Sequence, residues 1–210
     1  MSIANIFRII LEIAFTVLIS IIYRWSIYFI HELGHFIVGK SFGYRCKIIL
    51  KKASIFMPRL ATNIKGNHKL TVKQDLIFSF NGVLLAEIIN VIFICVFYQY
   101  KYIYLLVLIH IPITFIDMIP DGNSDGKWVL EEMGKIFNLD DFSKTRIKNI
   151  EVIIYFILLL LSTIFTVMCY IHCYANDYFI WYGLPVLCIF HFTSYRYIYR
   201  YIINLCRGNG

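Results

Sequence analysis

Charged residues are scarce in this chain. Of its 210 residues, 16% are charged, 60% are hydrophobic and 18% are aromatic, and the mean hydropathy is +0.70. These values exclude a typical soluble domain and indicate a protein that crosses a membrane several times. Proline is rare as well, with four residues, and the chain lacks repeats and low-complexity linkers. We therefore predict a single transmembrane domain over 1–210.

Acidic residues are absent from one long segment. Between Lys40 and Lys73 the chain carries nine Lys or Arg residues and no Asp or Glu. Basic loops stay on the cytoplasmic side of a membrane, so we expect this loop, the segment 127–148 and the C-terminus in the cytoplasm. Beside membrane spans, such a loop favours contact with anionic lipids over contact with nucleic acid. The expected location is a bacterial cytoplasmic membrane, with several passes.

Two further features are missing. Three of the six cysteines lie within apolar runs and the set shows no paired extracellular pattern, which predicts buried free thiols rather than a disulfide framework. A cleavable signal is not evident, because the first apolar run contains Glu12 and lacks a small-residue cleavage site. We expect this run to remain as a membrane span.

Long apolar runs recur along the chain. A helix needs about 20 residues to cross a hydrocarbon core of about 30 Å. The second run is short, and Arg24 and Trp25 interrupt the stretch before it, so the first 40 residues form either a tight helical hairpin or one long tilted helix. We predict an all-α polytopic membrane protein with about six transmembrane helices, five being the alternative. The runs are 5–23, 26–39, 75–98, 102–119, 151–172 and 178–203.

Two segments between the runs have a different composition. Segment 44–66 is rich in β-branched and aromatic residues and is broken by Pro58 and Gly66, which favours one or two membrane-associated strands over a helix. An ordinary basic loop is an equally good interpretation. An open strand edge would let an extended peptide pair with it. Segment 127–148 predicts an amphipathic cytoplasmic helix and a turn.

A pair of histidines lies inside the second apolar run. His31 and His35 are four residues apart on one helix face, so both imidazoles can bind a single Zn²⁺, and Glu32 beside them can accept a proton from water at the metal. Such groups cost about a few kcal/mol each in hydrocarbon, so within a span they indicate a functional site. A catalytic zinc also needs a third protein ligand and an open position.

The third ligand is expected just after the fourth run. Pro120, Gly122 and Gly126 break the helix there, and irregular backbone at membrane depth survives only when it is buried in protein or lines a cavity. Carboxylates can therefore be directed inward from this segment. They are Asp117, Asp121 and Asp125. Spacing alone does not decide between the last two.

Together the two motifs resemble the signature of the site-2 protease family of intramembrane zinc metalloproteases. That signature is His-Glu-x-x-His in one transmembrane helix and Asn-x-x-Pro-x-x-x-x-Asp-Gly two spans later. Here Asp117-Met-Ile-Pro120 is followed, after four residues, by Asp125-Gly126. The resemblance implies that Asp125 is the third ligand, that His31 and His35 are the other two, and that each chain holds one Zn²⁺.

The resemblance covers a metalloprotease core at about 26–130. The family's three core helices would correspond to about 26–40, 75–98 and 102–126, with the β segment after the first of them. The remaining helices would be scaffold. These are expected at 5–23, 151–172 and 178–203.

The chain departs from the family at two positions. Asp117 stands where the family has an Asn that is thought to help position substrate or stabilise the oxyanion, and Ala86 stands where the middle helix commonly has an Asn. Asn81 and Asn123 are possible substitutes. Glu87 is a candidate partner of a zinc ligand or a substrate gate, and a buried carboxylate bonded to a neighbouring helix is an alternative.

The resemblance implies a zinc-dependent endopeptidase that cleaves transmembrane or membrane-bound peptides, with Glu32 as the catalytic base and the site open to the cytoplasm. Its partners would be membrane lipids, the peptide substrate and an accessory membrane protein, but no nucleic acid. One alternative is a catalytically silent zinc-binding relative that acts in peptide binding or export. Another is a metal-ion transporter, which would need ligands that step across the bilayer.

Overall fold

The computed structural model describes residues 3–51, 60–65, 70–97, 99, 116–118, 124–175, 199 and 203. The helices are α1 (Ile3–Ser41), α2 (Val72–Phe97), α3 (Asp125–Phe137) and α4 (Asp141–Ala175), and the strands are β1 (Arg45–Leu50) and β2 (Leu60–Lys65). A 3₁₀ turn at Ile116–Met118 precedes α3. The predicted helical fold with a small β segment is confirmed for these residues.

Helix α1 joins the first two apolar runs into one element. Its 39 residues extend about 58 Å, well beyond the hydrocarbon thickness of a membrane. Arg24 does not interrupt it, because its guanidinium is buried and lies 5.9 Å from the centre of the Tyr28 ring. The hairpin alternative is therefore wrong and the single long helix is confirmed.

The number of spans differs from the prediction. Among the described residues, two helices are long and apolar enough to cross a membrane, α1 and α2. The expectation of about six spans is not supported, since two of the six runs form one helix. Helix α4 includes the run 151–172 but begins ten residues earlier, at Asp141. The runs 102–119 and 178–203 lie almost entirely outside the described residues.

The buried face of α1 is polar and its exposed face is apolar. Buried positions recur every three or four residues, which is the period of one helix face. They include Glu12, Thr16, Ser20, Arg24, His31 and His35. Large apolar side chains cover the exposed face, among them Phe7, Ile10, Phe15, Leu18 and Ile22. This distribution is the reverse of that on a helix at a water-facing surface.

Helices α1 and α2 pack antiparallel and approach closely near residue 34. A Cβ built on Gly34 would lie 2.5 Å from the Asn81 carbonyl oxygen, so only glycine fits there. The Asn81 amide donates to the Gly34 carbonyl at 3.0 Å. Farther along, the Tyr23 hydroxyl donates to Asn90 Oδ1 at 2.5 Å. Small residues and interhelical hydrogen bonds are the usual means of packing helices in a membrane.

The segment after α1 forms an antiparallel hairpin of β1 and β2, with Arg45 opposite Lys65 and Leu50 opposite Leu60. The two-strand prediction is thus confirmed and the basic-loop alternative is wrong. The Thr62 hydroxyl donates to the Glu32 carbonyl at 2.8 Å, which holds β2 against α1.

Segment 127–148, predicted to contain an amphipathic helix and a turn, holds most of α3, the connection at 138–140 and the start of α4. Helix α3 has clear signals at both ends. The Ser124 hydroxyl accepts a hydrogen bond from the Lys127 amide, and Asn138 ends the helix in the left-handed conformation with φ 51°. After this turn Asp140 caps α4, because its Oδ1 accepts a hydrogen bond from the Ser143 amide at 2.9 Å. Hydrogen bonds from Ser143 hold the pKa of Asp140 below its ordinary value.

Candidate metal centre

Three side chains from two distant parts of the chain meet beside α2. His31 Nε2 lies 2.9 Å and His35 Nε2 lies 3.2 Å from Asp125 Oδ2, and the two imidazole nitrogens are 3.1 Å apart. Both histidines are buried, with 6% and 4% of their surface exposed. A search of the described residues for clustered metal-binding side chains finds this group, which could hold a metal ion.

The size of this triangle matches a small tetrahedral ion. Zn²⁺ binds nitrogen and oxygen ligands at about 2.0–2.1 Å, and two ligands of a regular tetrahedron at that distance are about 3.3 Å apart. The three distances between donor atoms, 2.9, 3.1 and 3.2 Å, are close to that value. Without a cation, each nitrogen–oxygen contact would need a proton on the imidazole, and the nitrogen–nitrogen contact would need one ring to donate to the other.

The orientation of His35 is set by helix α2. Its Nδ1 donates a hydrogen bond to the Phe78 carbonyl oxygen at 2.6 Å, and its ring stacks on the Phe78 ring with centroids 4.9 Å apart. A proton on Nδ1 leaves the Nε2 lone pair free and pointed at the other two ligands. A backbone carbonyl that fixes the tautomer in this way is typical of metal-binding histidines.

Two glycines make room for the centre. A Cβ built on Gly82 would overlap the Nε2 and Cε1 atoms of His35, so α2 can lie against the imidazole only because this residue has no side chain. A Cβ built on Gly126 would overlap the backbone carbonyl of Met118. The 3₁₀ turn and the start of α3 are therefore in direct contact next to Asp125.

Asp125 occupies the first position of α3, directly after its N-cap. Ser124 satisfies the Lys127 amide, so the Asp125 carboxylate is not needed as the cap and extends toward the two imidazoles. The structure brings this residue to the histidines, which lie 90 or more positions earlier in the chain. Asp121, the carboxylate that spacing left open, lies outside the described residues.

Glu32 lies at the edge of this group. Its side chain follows His31 on α1, is partly buried, and interacts electrostatically with His31 and Asp117. Its backbone carbonyl accepts the hydrogen bond from Thr62. The carboxylate is therefore near the metal ligands, on the part of α1 that the hairpin contacts.

The remaining predicted residues divide into two groups. Asp117 joins the site, since it interacts electrostatically with both histidines and with Asp125. Asn81 uses its amide group to bind the Gly34 carbonyl and thereby joins the two helices. Glu87 accepts a hydrogen bond from Asn90 at 3.0 Å, within the polar contact that includes Tyr23.

Glu87 is half-buried and bonds to a residue of its own helix, whereas Asp117 is a further carboxylate that interacts with the candidate ligands. Asn123 lies outside the described residues. Ala86 is fully buried and offers no polar group. The Phe78 carbonyl and the Thr62 hydroxyl were missed by reasoning from the sequence. The small residues Gly34 and Gly82 are the signal that could have indicated a close helix contact.

No protein-family model and no curated protein sequence matches this chain. The resemblance to site-2 proteases therefore depends on the two motifs and on the residues that they bring into contact.

Proposed function

We propose that this chain is a zinc-dependent intramembrane endopeptidase of the site-2 protease type, which hydrolyses peptide bonds of transmembrane or membrane-bound peptides. The observation that carries the proposal is the meeting of His31, His35 and Asp125, with donor atoms 2.9–3.2 Å apart, beside Glu32. Two imidazoles and one carboxylate, with a fourth position left for water, are the ligand set of a catalytic zinc.

The membrane location is supported by the surface of α1. Its apolar residues are exposed and its polar residues are buried, as expected for a helix surrounded by lipid. His35 is six residues, or about 9 Å, from the C-terminal end of α1. Because the basic segment follows that end directly, the positive-inside rule orients the site toward the cytoplasm. The proposed location is a bacterial cytoplasmic membrane.

In the proposed reaction the protein positions water and moves one proton. A bound Zn²⁺ would supply Lewis acidity toward water and toward the scissile carbonyl. The Glu32 carboxylate takes a proton from the attacking water and then gives it to the nitrogen of the leaving amine as the C–N bond breaks. His35 is held for this task by the Phe78 carbonyl, which keeps its Nε2 unprotonated.

The hairpin is suited to present the substrate in extended form. β2 contacts α1 at Glu32 through Thr62, and the described sheet has only two strands, so each strand has one unpaired edge. A peptide segment that pairs with such an edge adopts the extended backbone that a peptidase needs. The scissile bond would then lie close to the Glu32 carboxylate.

A second candidate is a catalytically silent zinc-binding protein that acts in peptide binding or export. It is favoured by Asp117, whose carboxylate near the ligands would repel a developing oxyanion when ionised. It is also favoured by Asn81, whose amide group is already bonded to Gly34. A metal-ion transporter is disfavoured, because the three ligands converge on one point and do not form a series across the bilayer.

The substitution Glu32→Gln separates the enzyme from the silent protein. We expect this variant to retain zinc, because Glu32 is not a ligand, and to lose peptidase turnover by about 100-fold or more, because general-base catalysis is lost. The measurement is a comparison of membrane-bound peptides in cells that express either form, together with the zinc content of the purified proteins. Uncleaved precursors should accumulate with the variant.

Glu131→Gln is the matched control. This glutamate lies on α3, paired with Lys127 at 3.8 Å and away from the metal ligands, so its substitution should change neither zinc content nor cleavage. If the Glu32→Gln protein yields the same peptides as the unaltered protein, Glu32 is not the base and the silent alternative gains support.

A further inference from the structure

The two faces of the hairpin differ in charge. Side chains alternate between faces along a strand, and the register places Arg45 opposite Lys65 and Lys47 opposite Asn63 on one face. We call Arg45, Lys47 and Lys65 the basic face. All three residues are exposed. The opposite face contains Thr62, which bonds to α1.

Two contacts with α1 set the position of the hairpin along that helix. Cys46, near the open end, lies against Gly39, close to the last turn of α1. Thr62, two pairs farther along the ladder, contacts Glu32, about two turns deeper in the helix. Arg45 and Lys65, one pair from Cys46 on the ladder, therefore lie beside the last turns of α1.

Within the residues that the structure describes, no acidic side chain pairs with the basic face. Arg45 and Lys65 are directly opposite each other, an arrangement that destabilises a strand pair when both are positive. The segment from Lys40 to Lys73 contains no acidic residue. Within the described part of the chain, none of the three basic residues forms an ion pair. An external anion between them would relieve this repulsion.

We propose that the basic face binds the phosphate group of an anionic phospholipid. The basic face lies beside the C-terminal turns of α1, the end that the proposed orientation puts at the cytoplasmic surface, and Arg and Lys donate strong hydrogen bonds to phosphate oxygens. An acidic peptide is the less suitable occupant, because the basic face points away from α1 and so away from Glu32 and the metal ligands. This inference depends on the proposed membrane location but not on peptidase activity.

The test is a lipid titration of the full-length protein in neutral detergent, followed by native mass spectrometry. The probes are phosphatidylglycerol, which is anionic, and phosphatidylcholine, which carries the same phosphate but no net charge. We expect phosphatidylglycerol to bind about tenfold or more tightly, because each basic residue near an anionic headgroup contributes about fivefold in affinity. This preference should weaken as salt is added.

The triple variant Arg45→Gln/Lys47→Gln/Lys65→Gln should lose that preference. The matched control is Lys127→Gln/Lys144→Gln/Arg146→Gln, which removes the same charge from α3 and α4 and should leave the affinity within about twofold. Equal losses in both triple variants would overturn the proposal, because they would show that net charge alone attracts the lipid. Displacement of bound phosphatidylglycerol by a glutamate-rich peptide would also overturn it and favour an acidic substrate segment.

Two measurements keep the outcome interpretable. Zinc content is recorded for every variant, so a protein that has lost its fold is distinguished from one that has lost only lipid binding. If the triple hairpin variant does not fold, the comparison of the two lipids on the unaltered protein tests the proposal. Equal affinity for phosphatidylglycerol and phosphatidylcholine would then contradict it. If the unaltered protein prefers phosphatidylglycerol but cleaves no peptide, the proposed lipid site is supported and only the proposed peptidase activity is refuted.

Discussion

At the scale of single residues, His35 shows how the candidate metal site depends on groups that have no sequence signature. The spacing of His31 and His35 predicted their shared face, and the structure brings their Nε2 atoms within 3.1 Å. The Phe78 carbonyl that fixes the His35 tautomer could not be predicted, because every residue has a backbone carbonyl and only the helix packing selects this one. The choice of Asp125 over Asp121 came from the family resemblance.

Gly82 provides a test at this scale. The substitution Gly82→Ala introduces a methyl group that would overlap His35 Nε2, so either the imidazole or helix α2 must move. We expect the affinity for zinc to fall by about tenfold or more, from a steric cost of about 1–3 kcal/mol. The measurement is a competition titration of the purified protein with a zinc chelator.

Gly43→Ala is the matched control for that substitution. Gly43 has φ +84° and open space around its Cβ position, so alanine strains the backbone there but touches nothing in the metal site. Its zinc affinity should equal that of the unaltered chain. A Gly82→Ala protein that binds zinc equally well would contradict the close packing of α2 on His35.

At the scale of elements, helix lengths were harder to predict than helix positions. The apolar run 75–98 became α2 and the segment 44–66 became two strands, because apolar length and β-branched composition are local properties. In the continuous helix α1 the Arg24 side chain is buried and contacts Tyr28 one turn later, and this burial is what local composition does not show. The six-span expectation failed for this reason.

Asp125, the proposed third ligand, is the first residue of α3, so the contribution of the Ser124 N-cap to its position can be tested. Ser124→Ala removes the acceptor of the Lys127 amide and should cost about 1 kcal/mol in the free energy of unfolding. Because Asp125 is the next residue, we also expect weaker zinc binding. Denaturant titration and zinc competition measure the two effects.

Ser124→Thr keeps a hydroxyl at the same position and serves as the control. It should preserve most of both properties, since threonine is also a favourable N-cap. Loss of stability without any change in zinc affinity in Ser124→Ala would mean that Asp125 is positioned by other contacts.

The hydrogen bond between the hairpin and α1 provides a second test at this scale. Thr62→Val removes the hydrogen bond to the Glu32 carbonyl but keeps a β-branched side chain of similar shape, so the strand itself should persist. We expect the free energy of unfolding to fall by about 1 kcal/mol and peptide cleavage to slow, with zinc content unchanged. Thr62→Ser should restore both stability and cleavage. A normal rate of cleavage in Thr62→Val would show that the hairpin does not need this contact to present substrate.

At the scale of the whole molecule, the burial of polar groups and the exposure of apolar ones are the main physical result. Composition predicted a membrane protein, and among the described residues two helices have the length and hydropathy to cross a membrane. The polar stripe of α1, from Glu12 to His35, was predicted only in its last turns, where the metal motif lies. Its earlier positions look unremarkable in sequence because each polar residue is isolated among apolar ones.

The central claim is that two imidazoles and one distant carboxylate bind a single zinc ion. The most direct test is to measure the zinc content of the purified full-length chain and the zinc–ligand distances by X-ray absorption spectroscopy. We predict one zinc per chain with nitrogen and oxygen ligands at about 2.0–2.1 Å. Asp125→Ala and His35→Ala should each remove the metal, and Asp121→Ala should retain it. A chain that holds no zinc, or that loses it with Asp121→Ala but keeps it with Asp125→Ala, would contradict the account.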